Sequence, residues 1–539
     1  MSSNDPNQPE YLGSDAAADS PAPSGPHRGR RTAVVTAAVV ATVAAVGAGA
    51  YGVVQVMSGG SSPASAVPAD AVAYVSLDLD PSAAQKIEAI KIMRKFPGLR
   101  KELDINSRDD IRQTIFREIQ KGGDCKDLSY ADDIKPWIGN RVALAGVPAS
   151  KGSQDPVLPL VALQVTDQDK AETGIRALQK CSGGDDDVAF ASSGDYLLLS
   201  EKQSDVDAMA EDAESASLQD DKAFTTWMDR TGESGIVTMY ASKKAADIVV
   251  DLANQTQRDS GDLEPGTMGS MQGKQLSAAL AGFEGAAGVI RFKGGAVEAE
   301  LAAKGLNKGV GGADGGRGPD VTTLPGTTAA VLSVALQDGW LDDSMSSLRS
   351  SFGDSFDQGL AQAEQQTGLS LPEDVETLLG EGVSISVDSS ADLEAIASSP
   401  DPASIPAGVR IKGDAAKITA VIDKLKRAAG PQADVVVVRS KGDLVAVGTD
   451  KGYVESLVEK GDLGDSPAFT RVVPEAGRAS GVFFVDFDAG NGWAERLADL
   501  VSDGDPSAAE NVKPLDALGA SSWVDGDAVQ HSMLRLTTD

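Results

Sequence analysis

Histidine, the side chain best suited to moving protons near neutrality, occurs only at His27 and His531. His27 sits in a Pro- and Ser-rich tail. His531 lies in DAVQHSMLRLTT, whose alternation predicts a final strand. A His-rich metal centre is therefore excluded, and a Ser-His-Asp site would have to run through His531, which we read as a half-exposed structural residue. No serine stands in a G-x-S-x-G elbow or an S-x-x-K pair. The string GSMQGKQ departs from a phosphate loop twice, with Met268 in place of the first glycine and Gln275 in place of Ser or Thr. The Gly-rich stretch 309–318 fails the dinucleotide spacing at Asp314. Asp78 and Asp80 precede a helix, where Asp80 is read as its N-cap and Pro81 as its first residue. Asp486 and Asp488 do not fit a calcium loop, because Gly490 and Asn491 hold its fifth and sixth positions. Asp185, Asp186 and Asp187 read as a solvated turn. These residues nominate no catalytic, cofactor or metal position; the remaining enzymatic reading is general acid–base chemistry by Asp and Glu alone.

The two cysteines, Cys125 and Cys181, carry the remaining chemistry. They predict a disulfide if that part of the chain faces an oxidising compartment, the alternative being two free thiols. The compartment follows from the N-terminus. Residues 32–57 are uncharged and apolar, long enough to span about 30 Å of hydrocarbon. Arg28, Arg30 and Arg31 precede them and no Lys or Arg follows until Lys86, which places the tail 1–31 in the cytoplasm and the bulk of the chain outside. A cleaved signal peptide ending at Ala64-Ser65-Ala66 is the competing reading and also exports the body. With 80 acidic against 48 basic residues the net charge is -32, which repels a phosphate backbone and argues against nucleic acid as partner.

Element order downstream suggests a chain read twice. AVPADAVAYVSLDL at 66–79 corresponds to TLPGTTAAVLSVAL at 323–336, each a Pro-led strand. DIKPWIGNRVALAGV corresponds to DVETLLGEGVSISV, aligning Gly139 with Gly380. The helix KAETGIRALQK corresponds to KITAVIDKLKR, with Ile175 matching Ile422 and Leu178 matching Leu425. The hairpin SSGDYLLLS corresponds to RSKGDLVAVG, and Ala223-Phe224-Thr225 to Ala468-Phe469-Thr470. The expected organisation is α+β. A disordered tail 1–31, a transmembrane helix 32–57 and a short linker 58–65 lead into two tandem repeats of one domain. These occupy 66–305 and 323–539, joined by a Gly-rich linker 306–322, each with a mainly antiparallel or mixed sheet.

VPADAVAYVSLDLDPSAAQKIEAIKIMRKFPG, GDCKDLSYADDIKPWIGNRVALA and GDYLLLS resemble the family called domain of unknown function 3352. That resemblance implies a membrane-anchored envelope protein of the actinobacterial kind and assigns no activity, substrate or catalytic residue. The expected function is non-catalytic binding or scaffolding of an envelope partner or ligand. A carrier of lipid or another hydrophobic ligand is the alternative, and a carboxylate-dependent enzyme comes third.

Overall fold

The structure is a computed structural model. It describes residues 61–79, 82–96, 111–122, 125–149, 156–181, 188–251, 276–277, 279–306, 320–337, 339–391, 405–490, 498 and 510–539. The strands are β1 Ala73–Asp78, β2 Ile138–Pro148, β3 Val157–Val165, β4 Ala189–Ser193, β5 Tyr196–Ser200, β6 Val237–Ser242, β7 Gly285–Lys293 and β8 Ala296–Lys304. They continue as β9 Thr328–Ala335, β10 Gly382–Asp388, β11 Ala407–Lys412, β12 Val437–Lys441, β13 Leu444–Gly448, β14 Gly481–Asp486, β15 Leu515–Val524 and β16 Val529–Thr538. The first helices are α1 Ala83–Arg94, α2 Ile111–Gly122, α3 Gln168–Cys181, α4 Gln203–Ser215 and α5 Lys222–Asp229. The later ones are α6 Trp340–Phe352, α7 Asp354–Thr367, α8 Glu373–Leu379, α9 Ala415–Ala429, α10 Lys451–Leu457 and α11 Pro467–Val472.

All sixteen strands belong to one sheet, in the order β12-β13-β11-β10-β9-β14-β15-β16-β8-β7-β6-β1-β2-β3-β5-β4. Every neighbouring pair is antiparallel. This corrects the expected fold class: instead of two tandem repeats of one domain, each with a mainly antiparallel or mixed sheet, a single antiparallel sheet runs through both halves. The joint is β8 against β16, nine residue pairs from Val529 opposite Lys304 to Thr537 opposite Ala296. The physical reason is the edge: β8 and β16 would otherwise each present a long row of unpaired backbone groups, and pairing them removes both. No helix among the described residues is long and apolar enough to cross a membrane. The expected span 32–57 and its flanking Arg28, Arg30 and Arg31 lie outside the described residues, as do Asp80, Pro81, Asp185, Asp186 and Asp187.

Local expectations fare better than the global one. Both Gly-Asp turns form two-residue hairpins, β4–β5 around Gly194 and β12–β13 around Gly442. Each glycine has positive φ, 57° and 63°, which a side chain would resist. The two matched helical patterns are α3 and α9, with Ile175 and Ile422 buried. Phe224 on α5 and Phe469 on α11 each meet core aromatics edge-on, Phe224 against Tyr74 and Tyr240, Phe469 against Phe484. α1 starts later than expected, with Ser82 as the cap accepting from the Gln85 amide.

Residues expected to form a linker up to 65 are instead part of a core. Pro63–Ala66 make a 3-10 turn capped by Ser62, and Ala64, Ala66 and Val67 pack with Tyr74, Leu160, Tyr196, Val206 and Leu218. The two outer strands are screened: Gln203 Nε2 donates to Phe190 O on β4, while Lys426 Nζ donates to Val436 O and Arg439 Nη1 to Val438 O beside β12.

Candidate functional site

Because side chains alternate along a strand, residues opposite one another in neighbouring antiparallel strands share a face. One such row can be followed across the whole sheet. It runs Val438, Val447, Val409, Ile385, Leu332, Phe483, Ala520, Leu534, Ala299, Ile290, Val237, Leu77, Val142, Leu163, Leu197 and Ser192. Fifteen of these sixteen positions are apolar, and the exception is an uncharged serine at the edge strand. Both ends are roofed by helices. Ile418 and Ile422 of α9 pack over Val409, Val438 and Val447. Ala171 and Ile175 of α3 pack over Leu163 and Leu197, together with Phe116, Tyr130 and Trp137.

The middle is unequally covered. Leu77 and Val237 are 6% and 5% exposed, whereas Ile385, Leu332, Leu534 and Phe483 are 52%, 50%, 45% and 37% exposed. Leu301, on the adjoining row of β8, is 43% exposed. Four strand spacings separate Ile385 on β10 from Leu534 on β16, about 19 Å at ~4.8 Å per strand. Scattered exposed leucines are ordinary, but a contiguous apolar strip marks an interaction surface. The opposite face is closed, by α4 and α5 over Tyr74, Leu198 and Tyr240, and by α10 and α11 over Val331, Val482, Phe484 and Ala517.

That closed face holds a buried ladder of ion pairs. Arg291 on β7 and Glu298 on β8 are 4% and 3% exposed. Arg291 Nε donates to Glu298 at 2.7 Å, its Nη2 to Glu300 at 2.5 Å and its Nη1 to the carbonyls of Thr231 and Glu233 at 2.7 and 2.8 Å. Arg535 of β16 completes the ladder, 3.2 Å from Glu298 across the joint. Burial pushes the Arg291 guanidinium down, but hydrogen bonds and charge from Glu300 and Glu298 leave it raised. Arg410 is fully buried; its Nη1 donates to Thr323 and its Nη2 to Asp320 O, and burial draws it down to about 10.

His531 is buried rather than half-exposed. Its ring stacks on Trp523 at 5.3 Å, its Nε2 lies 3.2 Å from Asp525, and its Nδ1 is buried without a hydrogen-bond partner. The imidazole is thus held by a carboxylate, but no hydroxyl meets its other nitrogen. Among the described residues, one carboxylate group could hold a cation: Asp488, Asp516 and Asp539, whose oxygens lie within 4.8 Å of one another. Asp516 is already engaged by Arg471 at 2.6 and 2.7 Å and by Thr537 at 2.6 Å. Desolvation, then Asp539, Asp516 and Asp486, push Asp488 up to about 6. Asp78 pairs with Arg141 at 3.0 Å.

Cys125 and Cys181 are joined as a disulfide, with Cα atoms 4.9 Å apart, tying the end of α3 to the segment before β2. Sequence reasoning found this pair and missed the open strip and the Arg291 ladder. The strip had a signal in VLSVAL and GVFFVD, where the set opposite the closed core, Leu332 and Val334 in one and Phe483 and Val485 in the other, is apolar as well.

A family model described as a protein of unknown function, DUF3352, matches residues 33–441. The chain belongs to that family. The DUF3352 match ends at Lys441, within the β12–β13 hairpin, so it leaves β13 to β16 unmatched. No curated protein matches. A solved chain titled "Structure of crystal form III of TP0453" is similar over 47% of this chain and 82% of its own, at 10% identity and a TM-score of 0.21.

Proposed function

We propose that this chain is a non-catalytic binding protein of the cell envelope that engages its ligand through the open apolar strip. The observation that carries the reading is the stretch Ile385, Leu332, Phe483 and Leu534, left exposed in a row whose two ends are roofed by helices. Keeping these large apolar side chains half in water forgoes about 1 kcal/mol each, roughly half the value of full burial, a standing cost that a binding role explains. The apolar residues 32–57 attach the chain to the membrane, and Arg28, Arg30 and Arg31 keep the tail inside, so that the body faces the exterior. The Cys125–Cys181 bond supports an oxidising location. Surface labelling of whole cells tests the placement.

The binding surface is tested with an environment-sensitive apolar dye. Leu332→Asp and Ile385→Asp replace exposed side chains and leave the cores untouched, so near-UV circular dichroism stays unchanged while dye fluorescence falls. Equal dye binding by wild type and both variants contradicts the reading.

A further inference from the structure

Resting on that reading of the strip as a binding surface, we infer that its occupant is the hydrocarbon chain of a single lipid molecule. Three features select it. Along the open stretch Ile385, Leu332, Phe483, Ala520, Leu534 and Ala299, no side chain carries a charge or a hydrogen-bonding group, and the backbone is spent on the ladder itself. A partner that brought donors or acceptors would bury them unpaired; a hydrocarbon brings none.

The second feature is room. α9 stands on this same face beside β10, and at the far side the end of α1 reaches it, where Lys95 Nζ donates to Thr538, on the Leu534 face of β16. A helix with its side chains is about 10–12 Å across, and sheets pack face to face at about 10 Å. The same face of a second copy would meet these helices before its sheet reached the strip, whereas a slender chain lies between them. The length also agrees: about 19 Å from β10 to β16, against about 15 Å for the hydrocarbon of one leaflet, half of a ~30 Å core. The third feature is charge. A body carrying most of a net -32 is repelled by an anionic membrane surface, so the strip suits a lipid taken singly better than docking flat on a bilayer.

All of the described sheet and its cores lie from Ser61 onward, so residues 58–539 keep them and are tested without the apolar segment 32–57. The probe is a series of lysophosphatidylcholines of increasing chain length, each below its micelle concentration, titrated by calorimetry. The expected result is one site whose affinity tightens by about fourfold per added methylene until the strip is filled. Leu332→Asp and Ile385→Asp each weaken binding at least tenfold. Val435→Asp, a comparably exposed position off the sheet, leaves it unchanged.

Absence of binding, or binding without chain-length dependence, overturns the inference; if the dye still reports the strip, the binding-surface reading survives. Self-association abolished by Leu332→Asp would give the strip to a second copy. Binding to phosphatidylcholine vesicles but not to monomeric lysolipid would give it to a membrane surface. Either result also overturns the inference.

Discussion

Replacing Arg291 by methionine removes one cation from a ladder of two arginines and two glutamates that spans the β7–β8–β16 joint. Glu298, 3% exposed, keeps only Arg535 at 3.2 Å, Glu300 loses its 2.5 Å partner, and the carbonyls of Thr231 and Glu233 lose their donor. Removing one member of a buried ion pair costs about 3–5 kcal/mol, because the remaining charge is stranded away from water. Hydrogen exchange in β7, β8 and β16, read by mass spectrometry, should therefore accelerate by at least about a hundredfold, since each 1.4 kcal/mol is tenfold. Arg291→Met/Glu298→Met removes the stranded anion with its partner and should recover more than half of the loss. Exchange in the single variant within threefold of wild type, or a double variant worse than the single, would refute the reasoning.

Other perturbations follow from the same packing. Reducing Cys125–Cys181 frees a loop with sequence separation 56 and should cost about 4 kcal/mol by chain entropy, seen as a lower urea midpoint in reductant. Gly174→Ala places a methyl group 2.6 Å from the Trp137 indole nitrogen and should cost about 1–3 kcal/mol by thermal melting, because the ring is locked under α3. Starting the chain at Val67 deletes the buried Ala64 and Ala66 and the carbonyl of Ser61 that accepts from Tyr196; its melting temperature should fall below that of residues 58–539. Lys424 and then the Ser370 amide hold the Asp374 carboxyl below its ordinary 3.8. Its stabilisation is present above 3.8 and lost as pH falls through the lowered folded value. Asp374→Asn should thus be less stable than wild type at pH 7 and converge with it toward pH 2, as read by urea titration.

The hairpins at Gly194 and Gly442 and the apolar faces of α3 and α9 were legible because turn chemistry and helical period act within a few residues. The β8–β16 joint was not, since pairing between strands more than two hundred residues apart leaves no local mark. The buried state of His531 depends on Trp523 stacking across a hairpin, which alternation cannot reveal. In β9, Val331 and Leu332 look alike in sequence, yet Val331 is buried and Leu332 is half exposed. Alternation assigned them to opposite faces, but only the placement of α9, α10 and α11 decides which face is roofed. Residues 61–65 read as linker because small residues carry little periodic signal, although their size is what lets the Pro63–Ala66 turn fit against Tyr196 and Leu218.

The most direct test of the open strip places a polarity-sensitive fluorophore on it, as Leu332→Cys labelled with acrylodan in residues 58–539. Titration with dodecyl lysophosphatidylcholine below its micelle concentration should move the emission to shorter wavelength in a saturable manner, with the same label at Val435→Cys unmoved. An emission at residue 332 that stays at its aqueous position throughout would contradict the account.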